Sequence, residues 1–417
     1  MIHKLKPKSE FSRNVLTLMT GTTIAQAIPI AISPILTRIY TPEEFGLFGL
    51  YISIVTMLSV LATGRYELAI MLPKHDRDAI NILALSLIIT ITISITFLFI
   101  IMIFNSHITT LLGNPTISNW LYMIPISIFF TGIYQSFTLW HNRKKRYKDL
   151  AKTRVIQNAT MGLSNIGLGL MHTGFFGLIA GLLLGQILSM YKLITTSLLH
   201  DKKTYNQISN LKIKALAKKY IQFPKYDILA AFSNVASQQI PHILFNALFS
   251  STIAGYFYLT QRMMSMPVNL ISSAILDVFK EQASKDYKKE GNVKRLYSAT
   301  FKKLFLLSII PSVIIYVYSV DIFVIVFGEK WSVAGEYAKI LVPMLFLRFI
   351  SNPLSFMFYI GEKQKLNLVL QFLAFIGVLL SFYLANTAIE VVQCLTVVFS
   401  LFYILQLYIS AKIAKVF

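Results

Sequence analysis

A dozen long apolar runs recur along the 417-residue chain, near 13–38, 44–71, 79–104, 118–140, 153–172, 174–199, 224–248, 251–279, 302–320, 334–360, 366–385 and 388–411. Each is long enough to cross about 30 Å of hydrocarbon as a helix, some with tilt. A barrel strand would alternate polar and apolar residues over about 10 positions, and runs such as Leu83–Ile103 do not alternate. Twelve helices of about 20 residues consume about 240 residues, so no sizeable soluble domain fits in what is left. Composition agrees: 55% of the chain is apolar and 14% charged, against about 25% charged in soluble domains. An ordinary globular enzyme is therefore excluded. The pattern is least regular at 318–340, where Asp321, Glu329, Lys330, Trp331 and Glu336 interrupt it. A short interfacial segment is expected there, between the ninth and tenth spans.

The net charge of +21, from 39 Lys and Arg against 18 Asp and Glu, is unevenly spread. With the N-terminus in the cytoplasm, all but six of the 39 basic residues fall in the N-terminal tail, the C-terminus and every second loop. Arg143–Arg154, Lys202–Lys219 and Lys280–Lys303 are the densest stretches. An odd error in the span count would reverse this alternation downstream, so the positive-inside rule predicts an even count with both termini cytoplasmic. The basic loops are read as topology signals in contact with anionic membrane lipids, not as a nucleic-acid surface. The tail runs into a span too long for a signal peptide, so the first span is expected to be retained. The single cysteine, Cys394, lies in an apolar run, which leaves no disulfide framework.

The two halves look related. Phe11-Ser12-Arg13 precedes Gln26-Ala27-Ile28-Pro29, and 212 residues later Phe223-Pro224-Lys225 precedes Gln238-Gln239-Ile240-Pro241. Gly46-Leu47-Phe48 likewise matches Gly255-Tyr256-Phe257. Both copies begin on the cytoplasmic side, so the halves are parallel repeats of six spans, of the kind that rock against each other in transporters. The division is expected at 1–205 and 206–417.

Several spans carry polar residues at helical spacing: Thr22, Gln26, Pro29, Ser33 and Thr37; Thr56, Ser59, Thr63 and Glu67; Asn234, Gln238, His242 and Asn246; Arg262, Ser265, Asn269 and Ser272; Arg348, Asn352 and Ser355. Lipid offers polar groups no partners, so these faces meet each other or water. A single Ser or Thr there ordinarily ties helices together, whereas five stripes point to a shared polar cavity. Gln26, Asn234, Gln238, Asn269 and Asn352 are its expected polar lining. Six basic residues lie outside the cytoplasmic pieces: Arg38, Arg65, Arg262, Lys330, Lys339 and Arg348. Arg262 and Arg348 fall near mid-membrane, where an ionised Arg costs about 3 kcal/mol or more. Arg forks two hydrogen bonds onto phosphate or carboxylate, so these two are candidate contacts for an anionic ligand. The other reading is a structural pair with an acid or with helix-end carbonyls. Arg38 and Arg65 are weaker candidates for the same role. Glu67, His242 and Asp277 are candidates for ion coupling, although Glu67 could equally pair with Arg65 and His242 could be an ordinary hydrogen-bonded histidine. Gly177, Gly181 and Gly185 place small residues on one face, a helix-packing signal. There is no P-loop, no H-E-x-x-H and no spaced His/Cys metal set, so no cofactor is expected.

The stretch Ser33-Pro34-Ile35-Leu36-Thr37-Arg38-Ile39-Tyr40-Thr41-Pro42-Glu43-Glu44-Phe45-Gly46, with Thr63-Gly64-Arg65-Tyr66-Glu67-Leu68-Ala69-Ile70, resembles the start of polysaccharide-biosynthesis, O-antigen (Wzx-type) flippases of the multidrug/oligosaccharidyl-lipid/polysaccharide exporter superfamily. Phe327-Gly328-Glu329-Lys330-Trp331 before a span is a second match. The resemblance implies an all-α polytopic membrane protein with about 12 transmembrane helices in two parallel six-helix bundles around a central cavity. It implies a bacterial inner-membrane location and an undecaprenyl-pyrophosphate-linked oligosaccharide repeat unit as substrate, moved from the cytoplasmic to the periplasmic leaflet. A glycan polymerase and a chain-length regulator are the further partners it implies. Two other functions stand beside it. A small-molecule antiporter of the same fold would favour acidic cavity residues. A membrane glycan polymerase or acyltransferase would need a catalytic His/acid set or a large external loop, and the longest external pieces, near 105–117 and 321–333, are short.

Overall fold

The computed structural model describes residues 10–416, apart from the side chains of residues 10–19, Ala230 and Asp277. The tail lysines Lys4, Lys6 and Lys8, and the side chains of Arg13 and Asp277, thus lie outside the described residues. All regular structure among the described residues is helical. The chain forms two compact units, residues 1–251 and 252–417.

The first unit contains α1 (Glu10–Ile39), α2 (Pro42–Leu58), α3 (Asp76–Leu111), α4 (Ser118–Leu121), α5 (Ile124–Arg143), α6 (Tyr147–Leu170), α7 (Phe175–Tyr205), α8 (Asn210–Lys219) and α9 (Ile228–Leu248). Helix α6 packs against both α1 and α7, and small residues set that spacing. A Cβ on Gly181 would run into the Asn165 side chain, and one on Gly185 would lie 2.7 Å from the Gln157 carbonyl. The glycine stripe is therefore a packing face, as its spacing predicts. The core at one end gathers Tyr66, Ile70, Ile80, Leu83, Phe137, Trp140 and Leu193. Ile213 and Leu216 of the short helix α8 belong to the same cluster.

The second unit begins within α10 (Ser251–Glu290) and continues through α11 (Lys294–Phe327), α12 (Ser332–Leu354), α13 (Met357–Ile360), α14 (Gln364–Leu384) and α15 (Ala388–Ile413). Helix α12 packs on both α11 and α15, and most of its apolar residues are buried. By contrast α14 and α11 leave large apolar side chains outside, such as Phe372, Tyr383, Ile310 and Ile325. Such surfaces are unfavourable in water and suit lipid.

Every predicted run falls on helix, but not always on one helix. Among the described residues, seven helices are long and apolar enough to cross a membrane, or eight if α4 and α5, bent by 48°, form one span with the turn before them. The runs that fall short lie on α2, α6, α9 and α10; α2 is short, at 17 residues, whereas α9 and α10 carry the polar stripes read above and α6 brings Gln157, Asn158 and Asn165. Two boundaries differ from expectation. The run 44–71 is not a single helix: α2 ends at Leu58, and a turn with left-handed Gly64 (φ 59°) and Arg65 (φ 61°) leads into a 3-10 turn, Tyr66–Met71. The interruption at 318–340 is much shorter than expected. Helix α11 continues through Asp321 to Phe327, and only Gly328 and the turn Glu329–Trp331 separate it from α12. Asp321 is exposed at the end of a strongly apolar helix, a position where one acid does not stop helix propagation.

Candidate functional site

In the second unit, α10 and α12 meet through polar contacts at three levels. Thr260 Oγ1 donates to the Ala334 carbonyl at 2.8 Å, and Ser272 Oγ to the Phe349 carbonyl at 3.5 Å. Between them, Arg348 donates from Nη1 to Ser265 Oγ at 3.4 Å and from Nη2 to Asn269 Oδ1 at 3.2 Å. One turn earlier on α10, Arg262 lies over the Tyr258 ring at 5.9 Å and reaches its hydroxyl at 3.3 Å. The stripe periodicity thus becomes a real juxtaposition: Arg262, Ser265 and Asn269 lie along one strip of α10, and Arg348 reaches across to it from α12. Neither arginine has an acidic partner among the described residues. Both are half-buried, while Asn269 is exposed. The pair therefore keeps net positive charge and unused donors, since a guanidinium carries five N–H groups. Asn352, one turn beyond Arg348, is half-buried.

The first unit holds a different arrangement. Arg65 Nε donates to Asp227 Oδ2 at 2.6 Å, and its Nη1 lies 3.6 Å from Glu67 Oε1. Glu67 is buried and also accepts from Thr63. The left-handed Arg65 backbone turns the guanidinium toward Asp227, the residue before α9. That helix is entered through a π-helical turn, Phe223–Asp227, containing Pro224. On α9, Asn234 and Gln238 are exposed and bond each other at 3.1 Å, and His242 is half-buried. Gln26 is half-buried on α1. Higher on α1, Ser33 and Thr37 are buried and return hydrogen bonds to the Pro29 and Pro34 carbonyls of their own helix. That end of the stripe is packing and not cavity. Arg38 is exposed and donates to the Pro34 carbonyl at 2.7 Å. The structure therefore brings together Arg262, Arg348 and Asn269 in one unit, and Arg65 with Glu67 in the other.

Arg154, at the end of the basic stretch, lies inside α6, where it donates to Thr22 of α1 and its charge stands near the Tyr134 hydroxyl on α5. It too has no acidic partner among the described residues. The spacing of Arg154, Asn158 and Asn165 along one helix face was the available signal. Other loop charges are structural. Asp201, 5% exposed, receives a two-pronged bond from Arg146 at 2.7 Å and a third from Trp140 Nε1 at 2.9 Å. Asp76 receives Arg143 at 2.8 Å and Lys144.

This helical backbone has solved counterparts among membrane transporters. The lipid II flippase MurJ, in an inward closed conformation, superposes with a TM-score of 0.75 at 15% identity, covering 95% of this chain and 87% of that one. An inward-facing multidrug resistance MATE family transporter of the MOP superfamily gives 0.72 at 14% identity, covering 95% of both. A MOP superfamily transporter from Pyrococcus furiosus with a binding pocket of reverse polarity gives 0.60 at 13% identity over 97% of this chain and 95% of that one. At these identities the likeness defines the fold, an all-α, multi-pass membrane architecture. No curated protein sequence matches the chain. The family itself is defined by sequence: residues 35–336 match the family described as polysaccharide biosynthesis protein, and the chain belongs to it.

Proposed function

We propose that the protein is a flippase for undecaprenyl-pyrophosphate-linked oligosaccharide repeat units, carrying them from the cytoplasmic to the periplasmic leaflet of a bacterial inner membrane by alternating access. The observation that carries this reading is the pair Arg262 and Arg348, two guanidinium groups without acidic partners on the facing surfaces of α10 and α12. A diphosphate is the charge complement such a pair lacks, and Arg meets phosphate oxygens with paired hydrogen bonds. Each unsatisfied polar group of a bare sugar diphosphate would cost several kcal/mol in hydrocarbon, so a polar path lowers the barrier while the prenyl chain stays in lipid. Family membership supports the polysaccharide pathway. The repeat supports two moving halves, 1–205 and 206–417. In this reading the chain moves a substrate without chemistry, and the polymerase and chain-length regulator of the same pathway use its product.

The test follows the leaflet on which the repeat units reside. In a strain lacking this chain, lipid-linked repeats should accumulate on the inner leaflet. Depletion there, with unpolymerised repeats outside, would instead mark a polymerase. Arg262→Ala and Arg348→Ala should each lower surface-glycan export in well-expressed, membrane-inserted protein, and normal export in both would remove the site assignment. The small-molecule antiporter reading is weaker because the polar face of α10 and α12 is cationic. Resistance to cationic drugs upon expression would favour it.

A further inference from the structure

Helix α9 is fastened very differently at its two ends. At its C-terminal end the contacts are buried and neutral. Asn246 Nδ2 donates to the Gly46 carbonyl at 3.3 Å, Ser251 Oγ to Asn246 Oδ1 at 3.4 Å, and Asn114 Nδ2 to Ser251 Oγ at 2.6 Å. Phe245 is fully buried beside them. Gly113 (φ 66°) approaches so closely that a Cβ there would lie 2.7 Å from the Ala247 carbonyl. At its N-terminal end a polar tie is the ion pair between Arg65 and Asp227, with side chains 25% and 41% exposed. The π-helical turn before Asp227 and the exposed Ser233, Asn234 and Gln238 make this the loosely held end. π turns recur where helices must give way.

The basic residues at 202–219 place this end on the cytoplasmic side. Resting on the flippase reading above, we propose that Arg65 is the first anion-binding group at the cytoplasmic entrance, and that an arriving prenyl diphosphate takes the guanidinium from Asp227 and so releases the N-terminal end of α9. The exchange is chemically one-sided. Asp227 offers a single carboxylate in a half-buried pair, where partial access of water screens part of the attraction. A diphosphate brings more charge and can accept two parallel bonds from the fork. Only Nε is within hydrogen-bond distance of an acid, since Nη1 stands 3.6 Å from Glu67. The rest of the fork is available, and Glu67, itself held by Thr63, keeps Arg65 oriented as Asp227 leaves. The left-handed backbone at Arg65 fits this role: sparsely populated backbone conformations persist where they aim a functional group.

The proposal gives Asp227 a sign opposite to that of an ordinary structural acid, because it competes with the ligand. In full-length protein in lipid nanodiscs, Asp227→Asn should bind farnesyl diphosphate several-fold more tightly than the unaltered chain, and Arg65→Gln should bind it several-fold more weakly. Inorganic pyrophosphate, tested beside it, separates recognition of a free diphosphate from that of a prenyl diphosphate, and farnesol serves as the uncharged control. Amide exchange of peptides covering 224–238 should rise several-fold with farnesyl diphosphate, and rise equally in Asp227→Asn without ligand. Peptides covering 240–251 should stay protected throughout. Arg65→Lys, which keeps the charge but loses the fork, should show an intermediate response. Unchanged or weaker binding in Asp227→Asn, or ligand binding that leaves 224–238 protected, would overturn the exchange. Failure of the flippase reading would look different: lipid-linked repeats would not accumulate on the inner leaflet when the chain is deleted.

Discussion

Arginines in this chain divide by what answers their charge. Arg65, Arg143 and Arg146 each face a carboxylate within 2.8 Å, whereas Arg262, Arg348 and Arg154 face hydroxyl, amide or phenol oxygens. Arg143 and Arg146 are expected to act through stability, whereas Arg65, whose pair is the one proposed to open to ligand, is expected to act through binding. Removing one partner of a buried pair leaves an uncompensated charge costing about 3–5 kcal/mol, so Asp201→Ala should markedly lower the melting temperature of the purified protein through its loss of Arg146 and Trp140. The second group is expected to act through ligand. Losing one charged hydrogen bond costs about 1.5–3 kcal/mol, so Arg348→Lys should weaken binding of a diphosphate ligand by about tenfold or more while leaving the melting temperature nearly unchanged. Arg262 and Arg348 were legible because each breaks an otherwise apolar run. Arg154 was not, because it follows a cluster from Arg143 to Lys152 and charge position along a sequence does not reveal where the helix starts. The pairing of Arg65 with Asp227, 162 residues apart, had no local signal at all.

Helices were legible where a periodicity ran unbroken, and their breaks were not. The segment after α2 reads as apolar up to Met71, yet Gly64 and Arg65 adopt left-handed conformations that no hydropathy pattern reports. The glycine stripe of α7 is the opposite case, since its four-residue spacing specified both the face and its use. Gly181→Leu should separate α6 from α7, because the added side chain has no room beside Asn165. Overpacking of this kind costs about 1–3 kcal/mol, readable as a lower melting temperature in detergent. Gly167→Leu, on α6 but in open space, is the matched control and should melt like the parent.

At the scale of the whole molecule, the alternation of basic loops carries the topology. A C-terminal fluorescent fusion should fold and emit, as cytoplasmic fusions do, and a phosphatase inserted at Gly328, where nothing lies within 4 Å of an added Cβ, should be active outside; the opposite pattern would reverse the orientation. Polar residues explain why three predicted spans fall short on apolarity, since α6, α9 and α10 trade apolar residues for polar ones, while α2 falls short by length at 17 residues. The segment 206–222 lies at the expected boundary between the two halves and would pass in sequence for slack linker. Instead Ile213 and Leu216 are buried in the core of the first unit, and Tyr66 ties its hydroxyl to the Ala217 carbonyl at 2.9 Å. The chain at that expected boundary thus belongs to the interior of the first unit. Cutting the gene at the repeat boundary and supplying two fragments should fail to reconstitute a working protein, whereas a cut beside Gly291, where the backbone turns in open space, should be tolerated.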